Sequence, residues 1–85
     1  MTAMDKRLQS GLARIGMKQT MKSVELGEAV HVYVAQDADP RMLKRIEQLC
    51  TQSNVPVTFV DTMGSLGKAC GIGVGAAMAA IVRDK

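Results

Sequence analysis

Residues 29–35 read Ala-Val-His-Val-Tyr-Val-Ala, a β-branched run with a two-residue alternation, and a helical pattern opens shortly after it at Asp39-Pro40. No other feature constrains the fold as much. A strand followed at once by an amphipathic helix has to fold that helix back onto a sheet. Asp39 is suited to cap the helix and Pro40 to its first turn. Met42, Leu43, Ile46, Leu49 and Cys50 then recur at helical spacing, and the helix is predicted to stop near Asn54, with Pro56 just beyond. Val57 to Val60 follows as a short apolar strand.

The flanking segments extend the alternation. Met4, Leu8 and Leu12 recur every four residues, which predicts a helix ending near Ala13, with Ile15-Gly16 a connector or short strand. Lys18 to Leu26 reads as a second helix, with Met21 and Val24 inward and Gly27 as its stop. Asp61 to Ser65 reads as a loop, Leu66 to Cys70 as a brief helix ended by Gly71, and Ala76 to Val82 as a buried strand, with a helix the alternative for so Ala-rich a run. Helices and strands thus alternate, which predicts an α/β chain with its sheet sandwiched between helices. Residues 1–85 are expected to form a single domain, and no repeats or linkers are visible in them.

Core volume in such a chain must come from aliphatic residues and seven methionines, since Tyr33 and Phe59 are its only aromatics. Both fall in predicted strands, so the surface is expected to be nearly free of rings, which argues against modules that stack unpaired bases. Two cysteines, Cys50 and Cys70, do not make a disulfide scaffold and fit a reducing compartment. No signal peptide and no apolar stretch of roughly 18 residues is visible, so a cytoplasmic monomer with no membrane partner is expected. Compactness scaling puts its radius of gyration at about 12 Å.

Most motifs that resemble catalytic or cofactor sites fail on context. Gly71-Ile72-Gly73-Val74-Gly75-Ala76 matches the dinucleotide fingerprint in letters only, because nine residues follow it, where the motif needs a helix and an acid about 20 residues on. Its glycines more plausibly allow close backbone packing at the entry to the last strand. Gly67-Lys68 resembles the end of a P-loop, but Thr62 replaces the first glycine and Ala69 the Mg²⁺-binding hydroxyl residue. Asp37 and Asp39 have no third ligand nearby, His31 sits mid-strand, and neither cysteine has a nucleophile's partner in sequence. A non-enzyme without cofactor or metal is expected.

Charge is distributed more informatively. The formal net charge is +3, yet from Lys6 to Val24 there are five bases and no acid, against three bases and four acids in residues 27–60. A basic end on a nearly neutral body points to a localised anionic partner. Within it, Gly16-Met17-Lys18-Gln19-Thr20-Met21-Lys22 combines a glycine that permits close backbone approach with a helix start whose N–H groups suit phosphate. Lys18 and Lys22, four apart, share a face with Gln19 beside them, and lysine and glutamine can read purine edges.

These residues resemble the kink-turn RNA-binding family of ribosomal protein L7Ae, in particular its small bacterial ribosome-associated members. The resemblance rests on Gly16–Lys22, Val34-Ala35-Gln36-Asp37-Ala38-Asp39-Pro40, Leu66-Gly67-Lys68-Ala69-Cys70-Gly71-Ile72 and Val74-Gly75-Ala76-Ala77, in that order, and covers nearly the whole chain. It implies a three-layer α-β-α sandwich around a small mixed sheet. It also implies that the helix after Gly16 enters the widened groove of a kinked duplex. There Lys18, Gln19 and Lys22 reach guanines of tandem sheared G·A pairs, with Gly16 and Met17 at the entrance. The family's loop before the last short helix, which covers bulged nucleotides, falls on residues 61–66, with Thr62, Met63, Gly64 and Leu66 as contacts and Lys68 nearby for phosphate.

Archaeal and eukaryotic members carry Asn-Glu where this chain has Lys18-Gln19, so the guanine contacts differ in detail and an acid that would repel phosphate is gone. Gly64 is expected to make the 61–66 loop more mobile than its β-branched, proline-containing counterparts. The expected function is non-catalytic recognition of a kink-turn, in ribosomal RNA or a structured mRNA leader, with ribosome association. The alternative is a protein–protein adaptor of the same fold that docks through the Met63 loop.

Overall fold

The computed structural model describes residues 6–83. After a 3-10 turn at Lys6–Gln9, the elements are β1 (Ala13–Ile15), α1 (Met17–Glu25), β2 (Ala29–Ala35), α2 (Pro40–Ser53), β3 (Val57–Val60), α3 (Met63–Ala69) and β4 (Met78–Val82). Asp39 caps α2 by accepting the Arg41 backbone N–H at 2.8 Å, and Asn54 ends it in the left-handed region at φ 57°. That termination lets Val55 N–H reach the Cys50 carbonyl at 2.9 Å and turns the chain into β3.

The strand order is β1-β4-β2-β3, with β4 antiparallel to both its neighbours and β3 parallel to β2. Since β1 and β2 both oppose β4, they run the same way, and β3 runs with them. The carboxyl ends of these three strands, the starts of the helices that follow them and the start of β4 therefore meet at one end of the sheet. Alternation along β2 divides the core. Val32 and Val34 join Val24, Ile46, Cys50 and Met78 under α1 and α2, while Tyr33 and Ala35 join Leu8, Leu66 and Ile81 under α3 and the 3-10 turn. All five residues of β4 are buried. The architecture is the three-layer α-β-α sandwich, with Met17, Met21 and Met42 filling space beside the α1–α2 core that rings would otherwise occupy. Its radius of gyration is 11.4 Å.

Three expectations need correction. The predicted first helix is a single 3-10 turn followed by strand. The Ser10 hydroxyl accepts the Leu12 N–H at 3.2 Å, and the Leu12 carbonyl accepts Val82 N–H at 2.8 Å, so local capping and pairing with β4 outcompete the helix. Leu8 is core all the same, and Met4 lies outside the described residues. Secondly, residues 63–65 are the first turn of α3 rather than loop, so Gly64 is helical and only Asp61 and Thr62 precede the helix. Thirdly, Phe59 sits on the edge strand β3 with 43% of its surface exposed. One ring is thus on the surface, although Tyr33 is buried. Among the described residues no helix is long and apolar enough to cross a membrane.

Candidate nucleic-acid interface

Ile15 ends β1, and the chain must leave the sheet at once to begin α1. Gly16 makes that turn with φ 98° and ψ 160°, a conformation open to glycine and strained for other residues. Its N–H donates to the Met78 carbonyl at 2.9 Å, tying the α1 start to the first residue of β4. The first N–H groups of a helix have no intrahelical partner, and here no side-chain cap from the described residues satisfies them. A Cβ placed on Gly16 would meet nothing within 4 Å, so the approach to this end is open.

The rest of α1 is oriented by its buried face. Thr20 is fully buried and its hydroxyl donates to the Arg14 carbonyl at 3.3 Å; Ser23 donates to the Gln19 carbonyl at 2.8 Å; Val24 enters the core. Lys18, Gln19 and Lys22 are consequently exposed, and neither lysine is paired with a described acid. Met17 is half-buried against the α1–α2 core.

The second predicted group lies across the sheet end. Met63 is held on both sides: its N–H donates to Asp37 Oδ1 at 2.8 Å, and its carbonyl accepts Ala76 N–H at 2.9 Å. Ala76 is two residues from Met78, about 7 Å along extended chain, so the starts of α1 and α3 flank the same short segment. Thr62 caps α3 by accepting the Ser65 N–H at 3.0 Å. Met63 is 36% exposed and Gly64 and Lys68, four apart on α3, are exposed too. Leu66 is fully buried in the core beneath α3, so its side chain offers no surface to a ligand.

A residue that sequence reasoning passed over joins this end. Val74 is 72% exposed, the most exposed of the large apolar side chains described, in the 71–77 segment that runs against α3. A Cβ on Gly67 would collide with the Val74 carbonyl oxygen, and a Cβ on Gly75 would stand 3.2 Å from Met63 Cβ. The glycines at 67 and 75 thus bring this segment onto α3, and Gly73, with nothing near it, plays no such part. The signal available in sequence was a lone valine between two glycines.

The polar groups weighed for catalysis are engaged within the fold. Asp37 and Asp39 are both engaged as caps, of α3 and α2. His31 Nε2 is 2.7 Å from the Thr58 hydroxyl, and its ring lies 4.7 Å from that of Tyr33. Burial pushes the Cys50 thiol up to about 11 and raises that of Cys70, which makes both poor nucleophiles.

Residues 1–85 match the model of the ribosomal protein L7Ae/L30e/S12e/Gadd45 family. The chain is 49% identical over 79 residues to a protein named RNA-binding protein YbxF from Geobacillus stearothermophilus, covering 93% of this chain and 96% of that one. It is 42% identical over 78 residues to a Bacillus pumilus protein named RNA-binding protein, covering 92% and 95% of the two chains. Among solved structures, the Giardia lamblia 15.5kD RNA binding protein superposes with a TM-score of 0.85 at 27% identity, over 94% of this chain and 71% of that one.

Proposed function

The chain belongs to the ribosomal protein L7Ae/L30e/S12e/Gadd45 family, and we propose that within it the protein acts as a monomeric, non-catalytic RNA-binding protein that recognises kink-turns. The observation that carries this reading is the start of α1: an uncapped helix end entered through Gly16, with Lys18, Gln19 and Lys22 exposed beside it. Uncapped N–H groups and unpaired ammonium groups are arranged for phosphate, and Gln19 has both a donor and an acceptor for a purine edge. A regular A-form major groove is too narrow to admit a helix, so an RNA that receives α1 must be distorted. A kinked internal loop with sheared G·A pairs is such a target. Met63 and Val74, on the other side of the sheet end, supply apolar cover for nucleotides the kink leaves unpaired, and Lys68 a cation for the backbone.

The same reading accommodates the single exposed ring. Phe59 stands alone on the β3 edge, and one ring is no platform for successive bases. The chain's RNA partner would be a kink-turn in ribosomal RNA or in an mRNA leader, with ribosome association following from the first. The test is a titration of a kink-turn duplex against the same duplex with its G·A pairs made Watson–Crick. The proposal expects clear preference for the former, and equal affinity would sink it. Lys22→Ala is expected to reduce the salt slope by about one if the ammonium meets phosphate, and to cost about 1–3 kcal/mol of discrimination with little slope change if it reads a base.

A further inference from the structure

The bases of α1 do not face open solvent alone. A groove of about 560 Å³ runs between α1 and α2, lined by Met17, Lys18, Met21, Lys22 and Glu25 from the first helix and Arg45 from the second. Lys18 and Lys22 belong at once to the proposed RNA-contacting face and to this groove. Arg45 closes it from the other side. Lys18, Lys22 and Arg45 are exposed, and none has an ion-pair partner among the described residues. Arg41, by contrast, is committed to Asp39 at 3.1 Å. The groove's one acid, Glu25, lies seven residues beyond Lys18 and three beyond Lys22 on α1, so the lining carries three bases against a single acid at the far end of the helix from Gly16.

We propose that Arg45 is a phosphate ligand, and that the RNA backbone continues from the start of α1 into this groove, held between Lys22 and Arg45 over the Met17–Met21 floor. The inference rests on the proposed RNA-binding function and extends its footprint to a second helix. Charge complementarity selects the occupant: three uncommitted bases against one acid, continuous with the face proposed to meet RNA. Arg45 contributes a planar fork suited to bidentate phosphate contact, which sets it apart from the two lysines.

The test measures kink-turn affinity against salt for the parent protein, Arg45→Gln and Lys44→Gln. Both variants lose one charge from adjacent exposed positions of α2, but Lys44 does not line the groove. For Arg45→Gln the log–log salt slope is expected to fall by about one, and the deficit to shrink about threefold between roughly 50 and 200 mM salt. Lys44→Gln is expected to keep the parental slope, and both variants the parental preference for sheared G·A pairs. An unchanged slope with Arg45→Gln overturns the inference and leaves the groove to a protein partner. Equal slope losses in both variants also overturn it, since they would report only the general field of α2. Glu25→Gln gives an independent reading: binding is expected to tighten at low salt, and weakening contradicts the proposal. If the parent itself does not discriminate between the two duplexes, the proposed function fails before Arg45 is at issue.

Discussion

The starts of α1 and α3 hold opposite ends of the same three-residue stretch, Ala76 to Met78, yet they are built in opposite ways. At α1 the entering residue has no side chain, and among the described residues no side chain caps the helix, nothing fills the space beside Gly16 and no acid pairs with the neighbouring lysines. At α3 the Thr62 hydroxyl caps one N–H, Asp37 takes another, Ala76 holds the Met63 carbonyl, and two glycines press the 71–77 segment against the helix. One end leaves its first N–H groups without a side-chain cap from the described residues. The other satisfies its groups internally and forms a wall with Met63 and Val74 on its surface. A recognition site made of one unsatisfied helix end and one satisfied one can both attract an anionic ligand and constrain its shape.

Breaking the wall is expected to have the largest effect on stability. Gly67→Ala forces a methyl group into the backbone carbonyl of Val74, which cannot swing aside as a side chain would, and is expected to cost about 3 kcal/mol, read as a lowered melting temperature. Gly16→Ala meets no neighbour but must hold φ 98°, so its cost is backbone strain of about 1–2 kcal/mol. The two variants separate by function: Gly16→Ala is expected to lose more RNA affinity than Gly67→Ala, measured where both remain folded. The reverse order would remove the distinction drawn between the two ends.

Asp37→Ala removes a cap from α3 and is expected to cost about 1 kcal/mol, with faster hydrogen exchange at the Met63 amide and unchanged exchange in α1. The smallest effect is expected at Asp39. Its side-chain hydrogen bond to Arg41, and then the Arg41 backbone N–H, lower its carboxyl below the ordinary 3.8. A depressed native pKa stabilises the fold above 3.8, and that contribution fades as pH falls through the lower native value. Asp39→Asn keeps a capping oxygen but not the charge, so its melting temperature is expected to vary slightly less with pH below about 4. The Asp39 carboxylate is exposed, which keeps this difference small.

These asymmetries also explain what could be read from the chain directly. β2, α2 and β3 fall at their predicted bounds because their signals are local: alternation in 29–35, the Asp39-Pro40 start, and an Asn54 able to turn left-handed before Pro56. The start of α3 was misplaced because one of its caps, Asp37, comes from 26 residues away. The first segment was misread because pairing with β4, at the far end of the sequence, outweighs its four-residue spacing. Within the candidate site, Lys18, Gln19 and Lys22 were legible because exposure of a basic helical face follows from the apolar positions opposite. Leu66 and Val74 were not, since their burial and exposure depend on how the 71–77 segment and α3 pack in the folded chain.

Amide chemical shifts followed during titration with a kink-turn RNA test the two-ended site most directly. The account predicts perturbation at residues 16–22 together with Met63 and Val74, and little change at Phe59 on the β3 edge. Shifts centred on Phe59, with Gly16 to Lys22 undisturbed, would contradict it.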